Sequence, residues 1–217
     1  MIQMTIWAGL LFLPAGTFDW WRAWLLIGIM FLGFLASAAS LFPGHKDLLA
    51  ERVKSPLQKG QPLADKIVLT LLLISFYGLI AFIPMDVFRF HLMAGPGILA
   101  SSLGLVLFLS GWRIAFLALR ENAFASPVVK LQEERVQKVI DTGVYGVVRH
   151  PLYAGGILFI VGIPLWLGSY AGVALSVVPI GALVLRVIIE ERFLRRQLKG
   201  YEAYMKRVCY RLIPFLW

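Results

Sequence analysis

Six apolar runs divide this chain, and most of its polar residues gather between them. The runs cover residues 2–18, 21–42, 67–84, 97–119, 152–167 and 171–189. A helix that crosses a bilayer needs about 20 mainly apolar residues, ~17 at the short end, so the first and fifth runs are short. Glycine and proline interrupt several of them, which membrane helices tolerate better than soluble ones. The first two runs form a hairpin turning at Asp19-Trp20-Trp21-Arg22, and the last two form another at Gly168-Ser169-Tyr170. The pattern predicts an all-α fold, a polytopic transmembrane bundle of about six spans. With no internal repeat, low-complexity tract or second soluble unit, residues 1–217 read as one membrane domain.

Charge then orients the bundle. The long polar stretches 43–66, 120–150 and 192–211 hold five, five and seven Lys/Arg, and the short turns hold only Arg22 and Arg89. Basic residues concentrate in cytoplasmic loops, so the long stretches and both termini are expected in the cytoplasm. Lys59 and Lys138 should face that side and Ser169 the other. Trp20, Trp21 and Trp24 at the first outer turn read as an aromatic belt at the interface.

Composition agrees: 59% of residues are hydrophobic, 15% are charged and mean hydropathy is +0.79, which excludes an ordinary soluble domain. The net charge of +9 does not point to nucleic acid, because the basic residues lie in the loops between apolar runs. One cysteine, Cys209, precludes an intrachain disulfide, and no CxxC or Cys/His cluster suggests a metal site. The first residues lack the basic region of a cleaved signal peptide, and the last carry no prenylation box.

Two charged clusters bracket the segment 143–191. Arg149-His150-Pro151-Leu152-Tyr153 opens an apolar hairpin, and Arg186-x-x-x-Glu190-Glu191 closes it. Ionisable groups at membrane depth are costly, by about 2.5–3.5 kcal/mol each at a helix centre, and usually carry function. Pro151 suits the first position of a helix, where its missing N–H costs nothing. Free amides at that N-terminus would suit an anionic group, while Gly155 and Gly156 allow close approach of a ligand or another helix. As an alternative, the first cluster is an interfacial anchor. Arg186 and Glu190 share a helix face; acid before base is the better helical order, and here the base comes first. Two adjacent carboxylates exceed what one arginine neutralises, so the surplus charge invites a cationic ligand.

These residues resemble the isoprenylcysteine carboxyl methyltransferase family, integral membrane enzymes that use S-adenosylmethionine. The pattern is Gly143-x-Tyr145-x-x-x-Arg149-His150-Pro151-x-Tyr153-x-Gly155, then Arg186-x-x-x-Glu190-Glu191-x-x-Leu194, then Gly200-Tyr201-x-x-Tyr204-x-x-Arg207-Val208, ending near Pro214. It is tight over residues 128–217, the family-like core, and weak before it. Phospholipid N-methyltransferases, thiol methyltransferases and some membrane sterol reductases look similar around Arg-His-Pro-x-Tyr. The resemblance implies a cytoplasmic cofactor pocket in which Lys130, Gln137, Lys138, Val139, Ile140, Tyr145, His150, Pro151, Leu152, Tyr153 and Glu190 hold the methyl donor. It implies that Arg186 meets the substrate and that Arg186 and Glu190 are the catalytic pair. Lys130 and Gln137 depart from the side chains of the eukaryotic enzymes, so contact there is expected through the backbone.

The chemistry fits this reading. S-adenosylmethionine carries a sulfonium, an ammonium and a carboxylate, and Glu190, His150 and helix N-terminal amides offer each an opposite. A carboxylate acceptor is already ionised at neutral pH and needs no general base, so the enzyme's task is alignment, worth up to ~7–11 kcal/mol in ideal cases. The expected activity is methyl transfer to an amphiphilic acceptor in the lipid bilayer, a carboxylate such as a prenylcysteine-like group. A phospholipid N-methyltransferase is the alternative within enzymes. A nicotinamide-dependent reductase would need a Gly-rich signature, which is absent. A small transporter or structural subunit would place charge near the midplane in broken helices.

Other residues promise less. Arg113 is expected to snorkel to the interface, and Asn122 to cap a helix or line the pocket. His45 and His91 read as loop residues, and 192–211 as a basic surface helix against anionic lipid.

Overall fold

The computed structural model describes residues 2–41, 46–58 and 60–217, so His45 and Lys59 lie outside the described residues. Among these residues the chain is helical, with no strand. The helices are α1 Ile2–Ala15, α2 Trp21–Leu41, α3 Lys46–Val53, α4 Leu63–Met85, α5 Ile98–Glu121, α6 Pro151–Leu167, α7 Tyr170–Leu175, α8 Val177–Gln197 and α9 Tyr201–Arg207.

Four helical stretches are long and apolar enough to cross a membrane. They are α2, α4 with its π-helical extension to Phe90, α5, and α7 together with α8. Helices α1 and α6 are apolar but shorter, at 14 and 17 residues, and pack against α4 and α5.

Local chemistry explains where these helices start, stop and bend. Pro151 is the first residue of α6, and Gly168 ends that helix at φ 102°, a left-handed conformation that glycine adopts without strain. Pro179 has no N–H to bond back one turn, and the last run accordingly breaks at Ser176 into α7 and α8. The Ser176 hydroxyl donates within reach of the Ile160 and Gly172 carbonyls, at 2.9 and 3.0 Å, so the break carries no charge and leaves no hydroxyl unsatisfied.

Helices α5 and α6 form the most extensive pairing in the molecule. Glycines make it possible. A Cβ on Gly104 would lie 2.4 Å from the Trp166 amide nitrogen, and one on Gly155 would lie 2.7 Å from the Gly111 carbonyl oxygen. Gly155 therefore admits a helix, not a ligand. Around this pair Leu11, Leu26, Ile80, Ile83, Phe108 and Ile163 are fully buried and join the helices in one core. The α5–α6 pairing fixes the entry to α6, and with it Arg149 and His150.

Two expectations need correction. Trp20 is not part of an aromatic belt: it is buried edge-on against Phe88, with ring centroids 5.1 Å apart, whereas Trp21 and Trp24 are exposed. Residues 192–211 are not one surface helix. Helix α8 runs on to Gln197, Gly200 turns the chain at φ 87°, and the seven residues of α9 lead into a tail that folds back on α6.

Candidate functional site

The tail and the start of α6 are joined through their backbones. The Arg149 and His150 amides donate to the Tyr210 and Arg211 carbonyls, each at 2.9 Å. The Arg149 side chain donates to the Val208 and Cys209 carbonyls at 2.7 and 2.8 Å, and through Nε to Glu191 Oε1 at 2.6 Å. Glu191 also receives Arg211 Nε at 2.8 Å and faces His150 Nε2 at 3.3 Å. It is buried and surrounded by cations, so it anchors α8 to α6 and the tail. The surplus carboxylate of the Glu190-Glu191 pair is therefore Glu190.

Glu190 makes no direct ion pair among the described residues, although Arg186, one turn away on the same helix, acts on it through space. Its Oε2 accepts the Tyr153 hydroxyl at 2.5 Å, and it lines a cleft. The same cleft is walled by Lys130, Gln137, Lys138, Val139, Ile140, Tyr145, His150, Leu152 and Tyr153, residues drawn from the 120–150 stretch and the first turn of α6. Asn122 both caps α5 and lines the cleft. Pro151 and Arg186 are not on its wall: Pro151 is buried at the helix start, and Arg186 lies one turn deeper than Glu190.

Free amides at the start of α6 are fewer than the sequence suggested. The tail takes those of Arg149 and His150, and those of Tyr153 and Ala154 bond to the His150 carbonyl. The Leu152 amide is the one left without a partner among the described residues.

Arg186 was expected to meet a substrate. Instead its Nε donates to Asp65 Oδ1 at 2.9 Å, a second nitrogen donates to the Pro127 carbonyl, and its guanidinium stands 5.8 Å from the Tyr153 ring centre. Asp65 is fully buried. Its other oxygen accepts Gln61 Nε2 at 2.7 Å and the Val129 amide at 3.0 Å, so one carboxylate ties α4, α8 and the cleft wall together. Sequence reasoning missed Asp65. The available signal was an acid in the first turn of α4, two residues before the apolar run 67–84 begins.

Lys130 and Gln137 line the cleft with their side chains engaged. Lys130 pairs with Glu51 of α3 and donates to Gln58 at 2.8 Å, and Gln137 Oε1 accepts the Gln132 amide at 2.9 Å. Glu51 is a second missed residue. Burial opposes its ionisation, but hydrogen bonds from Lys130 and Lys54 prevail and hold its pKa below the ordinary value.

Tyrosines 145, 201 and 204 share the cleft wall. Burial first, and then neighbouring negative or phenolic groups, push all three hydroxyls well above their ordinary pKa, so they remain protonated. The Tyr204 hydroxyl donates to the Tyr145 carbonyl at 2.8 Å, fixing α9 against the loop. Among the described residues no group of three His, Cys, Asp or Glu could hold a metal ion. The cleft thus offers one carboxylate without a direct ion pair, one free amide, one histidine and several aromatic rings, a set suited to an organic cation that also bears an anionic or polar part.

No curated protein matches the chain. A family model, that of phospholipid methyltransferases, matches residues 99–200, from α5 through α8. That span holds every cleft residue except Tyr201 and Tyr204, and over it the chain is similar to phospholipid methyltransferases.

Proposed function

We propose that this protein is an integral membrane methyltransferase that uses S-adenosylmethionine to methylate the head of a membrane amphiphile, from a cleft on the cytoplasmic side. The observation that carries this reading is Glu190, a carboxylate with no direct ion pair among the described residues, on the wall of a cleft with nine of the other residues expected there. Glu190 would balance the donor's positive charge, and the Leu152 amide and His150 would meet its carboxylate. The main chain near Lys130 and Gln137 would complete the wall. When bound, S-adenosylmethionine supplies an electrophilic methyl group. The chain's own part is to hold: Tyr153 fixes the Glu190 carboxylate, and Glu191 with Arg149 and Arg211 fixes the frame around it.

For the acceptor, a carboxylate such as a prenylcysteine-like group is the first reading. It is supported by the residue pattern that continues past Gly200 to Pro214, and a carboxylate brings its own electron pair, so no side chain has to remove a proton. Two observations favour a lipid amine as the second reading. The family match is to phospholipid methyltransferases, and Asp65 already balances the charge of Arg186. The test is product formation by purified protein from methyl-labelled donor, with a matched carboxylate amphiphile, amine amphiphile and lipid extract. Labelled ester supports the first reading and labelled amine replaces it with the second. No labelled product from any acceptor would sink the methyltransferase reading.

A further inference from the structure

Four tyrosines line the cleft, and three of their hydroxyls already have a partner. Tyr153 donates to Glu190, Tyr204 donates to the Tyr145 carbonyl, and the Tyr145 hydroxyl lies against the Asn122 amide. Tyr201 differs. It is 4% exposed, and its hydroxyl is buried with no hydrogen-bond partner among the described residues. A buried phenol oxygen with nothing to bond is costly, and sites that bind polar ligands are where such groups are retained. Its ring is held in place by Leu198, Tyr204 and Val208, with Leu131 and Val139 packed against the same cluster, so the hydroxyl cannot readily swing out to water.

We infer that Tyr201 is a binding residue whose hydroxyl donates to the anionic, amino-acid end of the methyl donor, beside Glu190, which takes the cationic part of that end. This rests on the methyl-donor reading above and extends it to a residue outside the family match. The direction of donation follows from the surroundings. Burial first, and then Glu190 and Glu191 against the opposing Arg149, keep the proton on the Tyr201 hydroxyl, so it can give a hydrogen bond to a carboxylate but does not serve as a base. Among the described residues no other unpartnered phenol lines the wall.

Tyr201→Phe removes a costly unpartnered hydroxyl and leaves the ring, so the unliganded protein should unfold at the wild-type temperature or slightly above it. The experiment is calorimetric titration of wild type and Tyr201→Phe with two probes, S-adenosylhomocysteine and 5′-methylthioadenosine, which lacks the amino-acid end. The expected result is a loss of about tenfold in affinity for the first probe, the size of one charge-assisted hydrogen bond. Affinity for the second should not change. Equal losses for both would overturn the assignment to the amino-acid end, and unchanged affinity for both would overturn any ligand contact at Tyr201. If wild type binds neither probe, the methyl-donor reading fails and this inference falls with it. That outcome is distinct from unchanged binding in the variant.

Discussion

Arg186 and Asp65 are 121 positions apart in sequence and 2.9 Å apart in space, with both side chains almost completely buried. The pair joins the middle of α8 to the first turn of α4, and through Val129 and Pro127 it also sets one wall of the cleft.

Asp65→Asn should therefore destabilise the protein strongly. Removing one member of a buried ion pair leaves an uncompensated charge and costs about 3–5 kcal/mol. Replacing both members, as Asp65→Asn with Arg186→Met, should recover much of that loss. Thermal unfolding in detergent reads both variants. A single substitution that left the transition in place would refute the structural role of the pair. The same coupling means that Arg186→Lys cannot report on an acceptor without a parallel stability measurement.

The two adjacent glutamates should separate cleanly. Glu190→Gln keeps the side chain's size but removes the charge, with an expected loss of ~1.5–3 kcal/mol in methyl-donor affinity and little change in stability. Glu191→Gln should show the reverse, because it disturbs the contacts with Arg149, Arg211 and His150. Calorimetry and unfolding on both variants decide. Equal affinity in wild type and Glu190→Gln would make Glu190 a structural residue.

Acid should weaken the contact between α3 and the cleft wall. Glu51 has its pKa lowered below 4.5, chiefly by Lys130 and Lys54 acting against burial. A lowered carboxylate pKa stabilises the folded state fully above the unfolded value and loses that contribution as pH falls through the folded value. Wild type should thus be more stable than Glu51→Gln by a constant margin above 4.5, and the margin should close as pH drops below it. A margin that persisted far into acid would show that Glu51 acts by packing alone.

Orientation can be tested with single cysteines in a Cys209→Ser background. Lys138 and Asp19 are exposed and lie on the cleft wall and at the first turn. Ser169 is a poor probe, being buried with its hydroxyl on Asp86 at 2.6 Å. Lys138→Cys should react with an impermeant thiol reagent only from the cytoplasmic side, and Asp19→Cys only from the outside. Labelling in the opposite sense would invert the topology and move the cleft to the other face.

The sequence by itself determined the helical, membrane-type character of the chain, because an apolar run of spanning length with its backbone satisfied internally can only be a helix. It also determined the local start of α6 at Pro151 and the turn at Gly168, since proline and glycine act on the backbone where they stand. Misplaced charge singled out Arg149 to Tyr153 and Arg186 to Glu191, and the family resemblance those residues carry implied the rest of the cleft wall from Lys130 to Leu152. Tertiary structure decided which charges cancel. Glu190 and Glu191 are adjacent and chemically identical, yet a helix turns them about 100° apart, and only one of the two faces meets Arg149 and Arg211. Arg186 gains its fixed partner only because α4 brings Asp65 beside it, and the buried hydroxyl of Tyr201 stands apart only once the three neighbouring hydroxyls have found partners. An electrostatic role depends on the distance to the opposite charge, and that distance exists only once helices far apart in sequence have packed.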